Sequence, residues 1–443
     1  MQVVSLSAGG HTGLAEHRVG IRPVMVLQAA LLLLVVANVG RIPVLDLGDR
    51  RAPVLINDIC IAAILGAGAL VMLRARSLRL NDVALAALVF AAVGALSAAA
   101  AMPRFGLSAF ELIGSLAYLA RWMAYFTVYL VVINCVRAHE AEGVWSAIER
   151  AMLVIAAFGI VQAIFLPNFA FMVYPNAREL IDWDPQRNRL VSTVLEPNIV
   201  AAMIALVLLV QLARLACGVR TALWKPTVLF AALIMTLSRS GALAFVVGCL
   251  VIVAARGLSK RVARFAGLMV LLAAVALPKL IAFGKEYARF GISDASALAR
   301  VNTWQRAIET FVENPWFGIG FNTYGFVQDH RGVERLGGAS YSAEGGLLFI
   351  AVMTGIVGLV IYLGMLWFAL RRFRKGWRDE RASPSERGLL IGAAAATVAI
   401  LVHSVFVNSL LMPFVMELLW VLWGLGFVVA TTISRRALET PLR

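Results

Sequence analysis

"WKPTVLFAALIMTLSRSGALAFVVGCLVIVAAR" occupies residues 224–256, and its reading sets the topology of everything after it. As one helix it would run roughly 50 Å at 1.5 Å per residue, far beyond a hydrocarbon core about 30 Å thick. It would also invert every later loop. As two short helices meeting at "SRSG", residues 238–241, each is roughly 22 to 26 Å long. The basic clusters choose between the two. They are "RARSLR" (74–79), Arg137, the group Arg214, Arg220 and Lys225, "RGLSKRVAR" (256–264), "RRFRKGWRDER" (371–381), and Arg435 with Arg436. Only two helices put them all on one side, as the excess of Lys and Arg in cytoplasmic loops requires.

The rest of the chain fits that frame. It has 443 residues, 61% of them hydrophobic and only 15% charged. Apolar runs of roughly 20 residues recur along it, each long enough to span a bilayer. Backbone polar groups must be satisfied within lipid, so the runs are helices. About twelve are expected, near 23–43, 54–73, 82–102, 112–135, 147–166, 198–216, 224–238, 240–256, 262–283, 345–370, 388–410 and 412–432. The expected fold is an all-α polytopic membrane protein. Residues 1–21 form a cytoplasmic tail without the apolar core of a cleavable signal, 22–432 a single membrane domain, and 433–443 a second cytoplasmic tail. The net charge of +15 does not indicate nucleic acid, because the basic residues punctuate loops rather than one soluble face. The four cysteines, Cys60, Cys135, Cys217 and Cys249, lack the spacing of a zinc site or redox pair and read as inert.

Three segments then face outward: 167–197, the "SRSG" turn, and 284–344, a partly helical loop between the ninth and tenth helices. A loop of that length is uncommon unless functional. It holds an amphipathic helix, "SALARVNTWQRAIETFVENP", and then the Gly-rich "WFGIGFNTYG". Arg189, Arg239 and Arg300 come from the three segments, one each. Convergent guanidinium forks suit a diphosphate; the alternative is that each is a surface arginine or reaches to lipid headgroups. Arg306, six residues after Arg300, points about 120° away from it on a helix. His330 is either a proton carrier or a solvated loop histidine. Glu344, at the entry to "GGLLFIAVMTGIVG", is either a charge favoured by the helix dipole or a general base. Inside the apolar runs, Arg121 and Asp58 are either paired structurally or line a substrate path. His403 and Asn408 are expected to make interhelical hydrogen bonds.

In order, "RLVSTVLEPNIVAA", "TLSRSGALAF", "ARVNTWQRAIETFVENPWFGIGFNTYG" and "GLLFIAVMTGIVGL" resemble the O-antigen ligase and polymerase superfamily of bacterial membrane glycosyltransferases. The resemblance covers roughly residues 150 to 430. It implies a GT-C-like architecture in the inner membrane, both termini cytoplasmic and the active site outside. It implies a glycan carried on undecaprenyl diphosphate, attacked at its anomeric carbon by an acceptor hydroxyl, with no metal or cofactor. It assigns diphosphate binding to Arg189, Arg239 and Arg300, with Arg306, Arg121, Asn198 and Tyr324 as secondary candidates and Glu344 or His330 as the catalytic group. Acceptor glycan or lipid A-core, membrane lipids, and chain-length or flippase proteins are the implied partners. Ligases of the family carry a His, then Asn, Ser or Gln, then nine residues, then Gly-x-x-Gly. Here Gly355 and Gly358 supply the glycines, and the histidine's place falls on Glu344. That departure favours a polysaccharide polymerase over a ligase. A transporter or flippase is the rival from another class, but it would be expected to show an internal repeat with matching broken helices, and the sequence has none.

Overall fold

The computed structural model describes residues 23–47, 50–173, 189–257, 292–332 and 345–439, with short helical pieces between 263 and 281; of 41–53 and 292–300 it describes the backbone alone. Among the described residues nine helices are long and apolar enough to cross a membrane: Ile56–Ala75, Asp82–Phe105, Ala109–Cys135, Ala138–Phe165, Pro197–Ala216, Arg239–Arg256, Gly346–Arg378, Pro384–His403 and Pro413–Glu439. Pro23–Leu33 and Trp224–Met235 are shorter apolar helices. The run expected at 262–283 lies mostly outside the described residues. The molecule is an all-α polytopic membrane protein.

The first run needs a correction. Its helix stops at Leu33 rather than near residue 43. Ala37 takes a left-handed backbone (φ 42°), and an antiparallel hairpin follows, β1 (Arg41–Leu47) and β2 (Arg50–Leu55). Gly48 and Asp49 between the strands are turn-forming residue types, and Pro43 cannot donate to a helical ladder. The apolar count alone hid these breaks.

Pro197–Ala216 is the core of the bundle, buried on nearly every side. A helix apolar all round must be enclosed, and glycines let its neighbours come close. A Cβ on Gly392 would lie 2.6 Å from the Cα of Val210, and one on Gly388 2.6 Å from that of Arg214. Its single interior polar side chain, Gln211, donates to Glu149 at 3.1 Å, which also pairs with Lys225.

The two ends differ chemically. At one end the basic loops meet: Arg214 binds Glu142 at 2.7 Å and Ser385 at 3.2 Å, and Arg436 binds Glu386 at 2.9 Å. At the other lie the residue 189–198 segment, the 236–241 turn and the 404–412 connection. Within the bundle, Arg121 pairs with Asp58, in the first turn of Ile56–Ala75, at 2.6 Å, and Tyr125 donates to the same carboxylate at 3.2 Å, while Asn57 donates to the buried Glu417 at 2.7 Å.

Candidate functional site

The site is built around the turn that joins Trp224–Met235 to Arg239–Arg256. Thr236 donates back to Leu233 at 2.6 Å, and Leu237 turns left-handed (φ 53°). The Ser238 hydroxyl then caps the next helix, accepting from the Gly241 amide at 3.2 Å. "TLSRSG" thus folds as a helix stop followed at once by an N-cap. Arg239 becomes the first residue of a helix, where unsatisfied amides and the dipole favour an anion. It is exposed, and its side chain makes no ion pair or hydrogen bond among the described residues.

Arg189 is brought to the same turn. The Leu190 amide donates to the Met235 carbonyl at 2.9 Å, and Arg189 Nε donates to the Thr236 carbonyl at 2.8 Å. Asn198 joins the two: its Oδ1 accepts from Ser238 at 2.9 Å and from Arg189 Nη2 at 3.4 Å. Its Nδ2 donates to Glu196 at 2.9 Å. Glu196 caps Pro197–Ala216 by accepting from the Ile199 amide. Burial pushes its carboxyl above the usual range, against the opposing pull of the Ile199 amide, Asn198 and Arg189. The segment before it is clamped by Gln162, which accepts from the Val191 and Ser192 amides at 3.0 and 3.1 Å. Ser192 and Leu195 hold positive φ angles of 50° and 60°, the kind of backbone strain that concentrates at functional sites.

A third strand of contacts arrives from the far end of the chain. His403, fully buried, lies 3.2 Å from Ser240 through Nε2 and 2.8 Å from Ser409 through Nδ1. The next residue, Ser404, accepts from the Gly346 amide. Gly345 (φ 99°) lies beside Val405, and the Trp304 ring packs on Phe406 at 6.2 Å. One short connection therefore meets the Arg239 turn, the start of Gly346–Arg378 and the helix Ile292–Glu313.

Of the residues the sequence singled out, Arg189, Arg239 and Asn198 share one turn. Arg300 sits on Ile292–Glu313 one turn before Trp304, but its side chain lies outside the described ones, and Glu344, directly before Gly345, lies outside the described residues. His330 is held elsewhere: Nδ1 faces the Phe105 carbonyl at 3.1 Å and Nε2 faces Glu111 at 3.2 Å. Arg306 is exposed. Tyr324 is buried against Phe349, and Arg121 is paired with Asp58 as described. Sequence reasoning passed over Ser238, Ser240, Ser409 and Glu196. Only Glu196-Pro197 carried a local signal, an acidic cap with Pro at the first helical position. His403 was expected to bond between helices, and it does so to Ser240.

Residues 227–363 match the family model described as O-Antigen ligase. Those residues, less than half of the chain, are similar to an O-antigen ligase domain. The match takes in the Arg239 turn, the helix of Arg300, His330, and Gly345 through the Gly355 and Gly358 region. Arg189, Asn198 and His403 fall outside it and meet the matched segment only through the fold. No curated protein matches the chain. The match supports the likeness to the O-antigen ligase and polymerase superfamily within a chain whose helices are long and apolar enough to cross a membrane.

Proposed function

We propose that the protein is a polysaccharide polymerase. It transfers glycan from an undecaprenyl-diphosphate donor to an acceptor sugar hydroxyl at the outer face of the inner membrane, and needs no metal or cofactor. The observation that supports this reading is that Arg189 is bonded to the Thr236 carbonyl of the turn that carries Arg239, at a helix start whose first turn has no acidic residue. The acceptor oxygen forms a bond to the anomeric carbon as the bond to the diphosphate oxygen breaks. Charge developing on the leaving diphosphate falls to Arg239, Arg189 and Arg300 and to the helix amides. Glu344, which directly precedes Gly345 in the sequence, serves as base or orients the acceptor.

A ligase delivering glycan to lipid A-core is the second reading. Glu344 at the place of the ligase histidine favours the polymerase. Purified protein in lipid nanodiscs, given only lipid-diphosphate glycan, should build longer chains without an energy source. Product only on added lipid A-core would establish the ligase. Translocation without new glycosidic bonds would establish a flippase and end both readings. Glu344→Gln should cut chain yield by at least about a hundredfold if the carboxylate is the base; near-normal yield would leave it a helix-start charge.

A further inference from the structure

Gly346–Arg378 is broken at Gly355, whose backbone is far from helical (φ 66°, ψ −169°). A break in a helix frees carbonyls above it and amides below it. Here the turn after Ile292–Glu313 takes up two carbonyls and two amides. The Ile319 and Gly320 amides donate to Val352 and Met353 at 3.0 and 3.1 Å, and the Pro315 and Trp316 carbonyls accept from Ile356 and Val357 at 2.7 and 3.3 Å. Ser97 adds bonds to Phe317 and, at 2.9 Å, to Met353. A Cβ on Gly355 would overlap the Trp316 carbonyl, so only glycine admits the turn.

The depth of this turn is the point. Gly355 lies nine residues below the start of its helix at Gly346, and Ser97 eight residues below the end of its own at Phe105. Both distances are roughly 12 to 14 Å at 1.5 Å per residue. The segment starts high, with Trp304 against Phe406, and ends high, with His330 against Phe105 and Glu111. It goes down along Gly346–Arg378, turns, and comes back.

Its outward side is apolar. On Ile292–Glu313 the buried face holds Ala307 and Thr310, and the water-type face holds Gln305 and Glu309, bonded at 2.9 Å. Between them Val301, Ile308 and Val312 stand exposed, and Trp316 (68% exposed) and Phe317 continue the edge. The edge runs on into the exposed face of Gly346–Arg378: Ile356, Val360, Leu363 and Trp367 at helical spacing. Above the break that same helix is walled in, with Ile350, Val352 and Met353 fully buried. Its exposed face begins where Trp316 ends.

We propose that residues 301–330 form a re-entrant element lodged in one leaflet, with Val301, Ile308, Val312, Trp316 and Phe317 against lipid hydrocarbon. Irregular backbone at that depth is tolerated only when protein satisfies it, and the Gly355 break supplies the partners. The stripe's continuity with the exposed face of a spanning helix commits the occupant to the acyl chains of the same bilayer. This inference rests on the spans and not on the reaction proposed above.

The test places one spin label at a time on the full chain in lipid vesicles, through Ile308→Cys, Val312→Cys, Phe317→Cys, Gln305→Cys and, as the lipid reference, Val360→Cys. The wild-type chain, with its four cysteines, is the labelling blank. Labels at 308, 312 and 317 should match 360, with accessibility to a nickel chelate at least about threefold below that at 305 and oxygen accessibility above it. Nickel accessibility at 312 and 317 equal to that at 305 would overturn the proposal. Dipolar coupling between chains at these positions would also overturn it, in favour of contact with a second copy. Each position is a surface one, so a single misfolded variant leaves the others to decide.

Discussion

Arg239 and Arg189 differ in how they are held, and the difference orders their expected effects. Arg189 is anchored on a carbonyl and an amide oxygen, so its removal also loosens the 189–198 segment. Arg239 stands exposed at a helix start, so its removal subtracts charge and little structure. Arg239→Ala should lower turnover about 100- to 1,000-fold, the range for losing one preorganised stabiliser of transition-state charge, with the thermal midpoint unchanged. Arg239→Lys should also be poor, because a point charge loses the bidentate fork. Retained turnover in both would remove Arg239 from the diphosphate site. Glu196 gives a pH signature. Its carboxyl titrates higher folded than unfolded, so the folded state holds the proton more tightly. Stability is then greatest below the ordinary carboxylate range and falls as pH rises through the raised value. Glu196→Gln should keep the cap and flatten that fall in the thermal midpoint against pH; an unchanged slope would exclude Glu196 as its source. Arg239 is conspicuous in the sequence because it is a guanidinium in an apolar run. His403 was legible only as a helix-bonding group, since Ser240, its partner, lies on a helix distant in sequence.

Among the elements, the broken helix decides most. In the sequence Gly355 is one half of a Gly-x-x-Gly pattern, and no count of apolar residues shows that a separate turn fills the gap. Gly355→Ala forces a left-handed alanine and a clash with the Trp316 carbonyl. Stability should fall by at least about 2 kcal/mol, read as a lower thermal midpoint. A midpoint equal to wild type would mean that the helix straightens without cost. The hairpin at 41–55 was missed for a related reason: strand pairing depends on a partner strand, while helix hydropathy is local. The spans themselves were readable, because a helix that must satisfy its own backbone declares itself by length and composition alone.

For the whole molecule, charge and contact agree on two unlike ends. The salt bridges of Arg214, Lys225 and Arg436 all lie among loops that the basic clusters marked, and the arginine turn lies among loops that they did not. A cysteine at Ser385 should be protected from an impermeant thiol reagent in intact cells, and one at Asn302 should react. The reverse pattern would invert the topology and move the site to the cytoplasm.

The enclosed helix Pro197–Ala216 has a mechanical consequence. Asn198, at its first turn, fixes the bearings of both Arg189 and Ser238. A rod walled by close-packed neighbours cannot slide or tilt without parting them. The 236–239 turn is therefore stationary, like an anvil. Any movement at this site must come from the elements around the rod rather than from the turn itself.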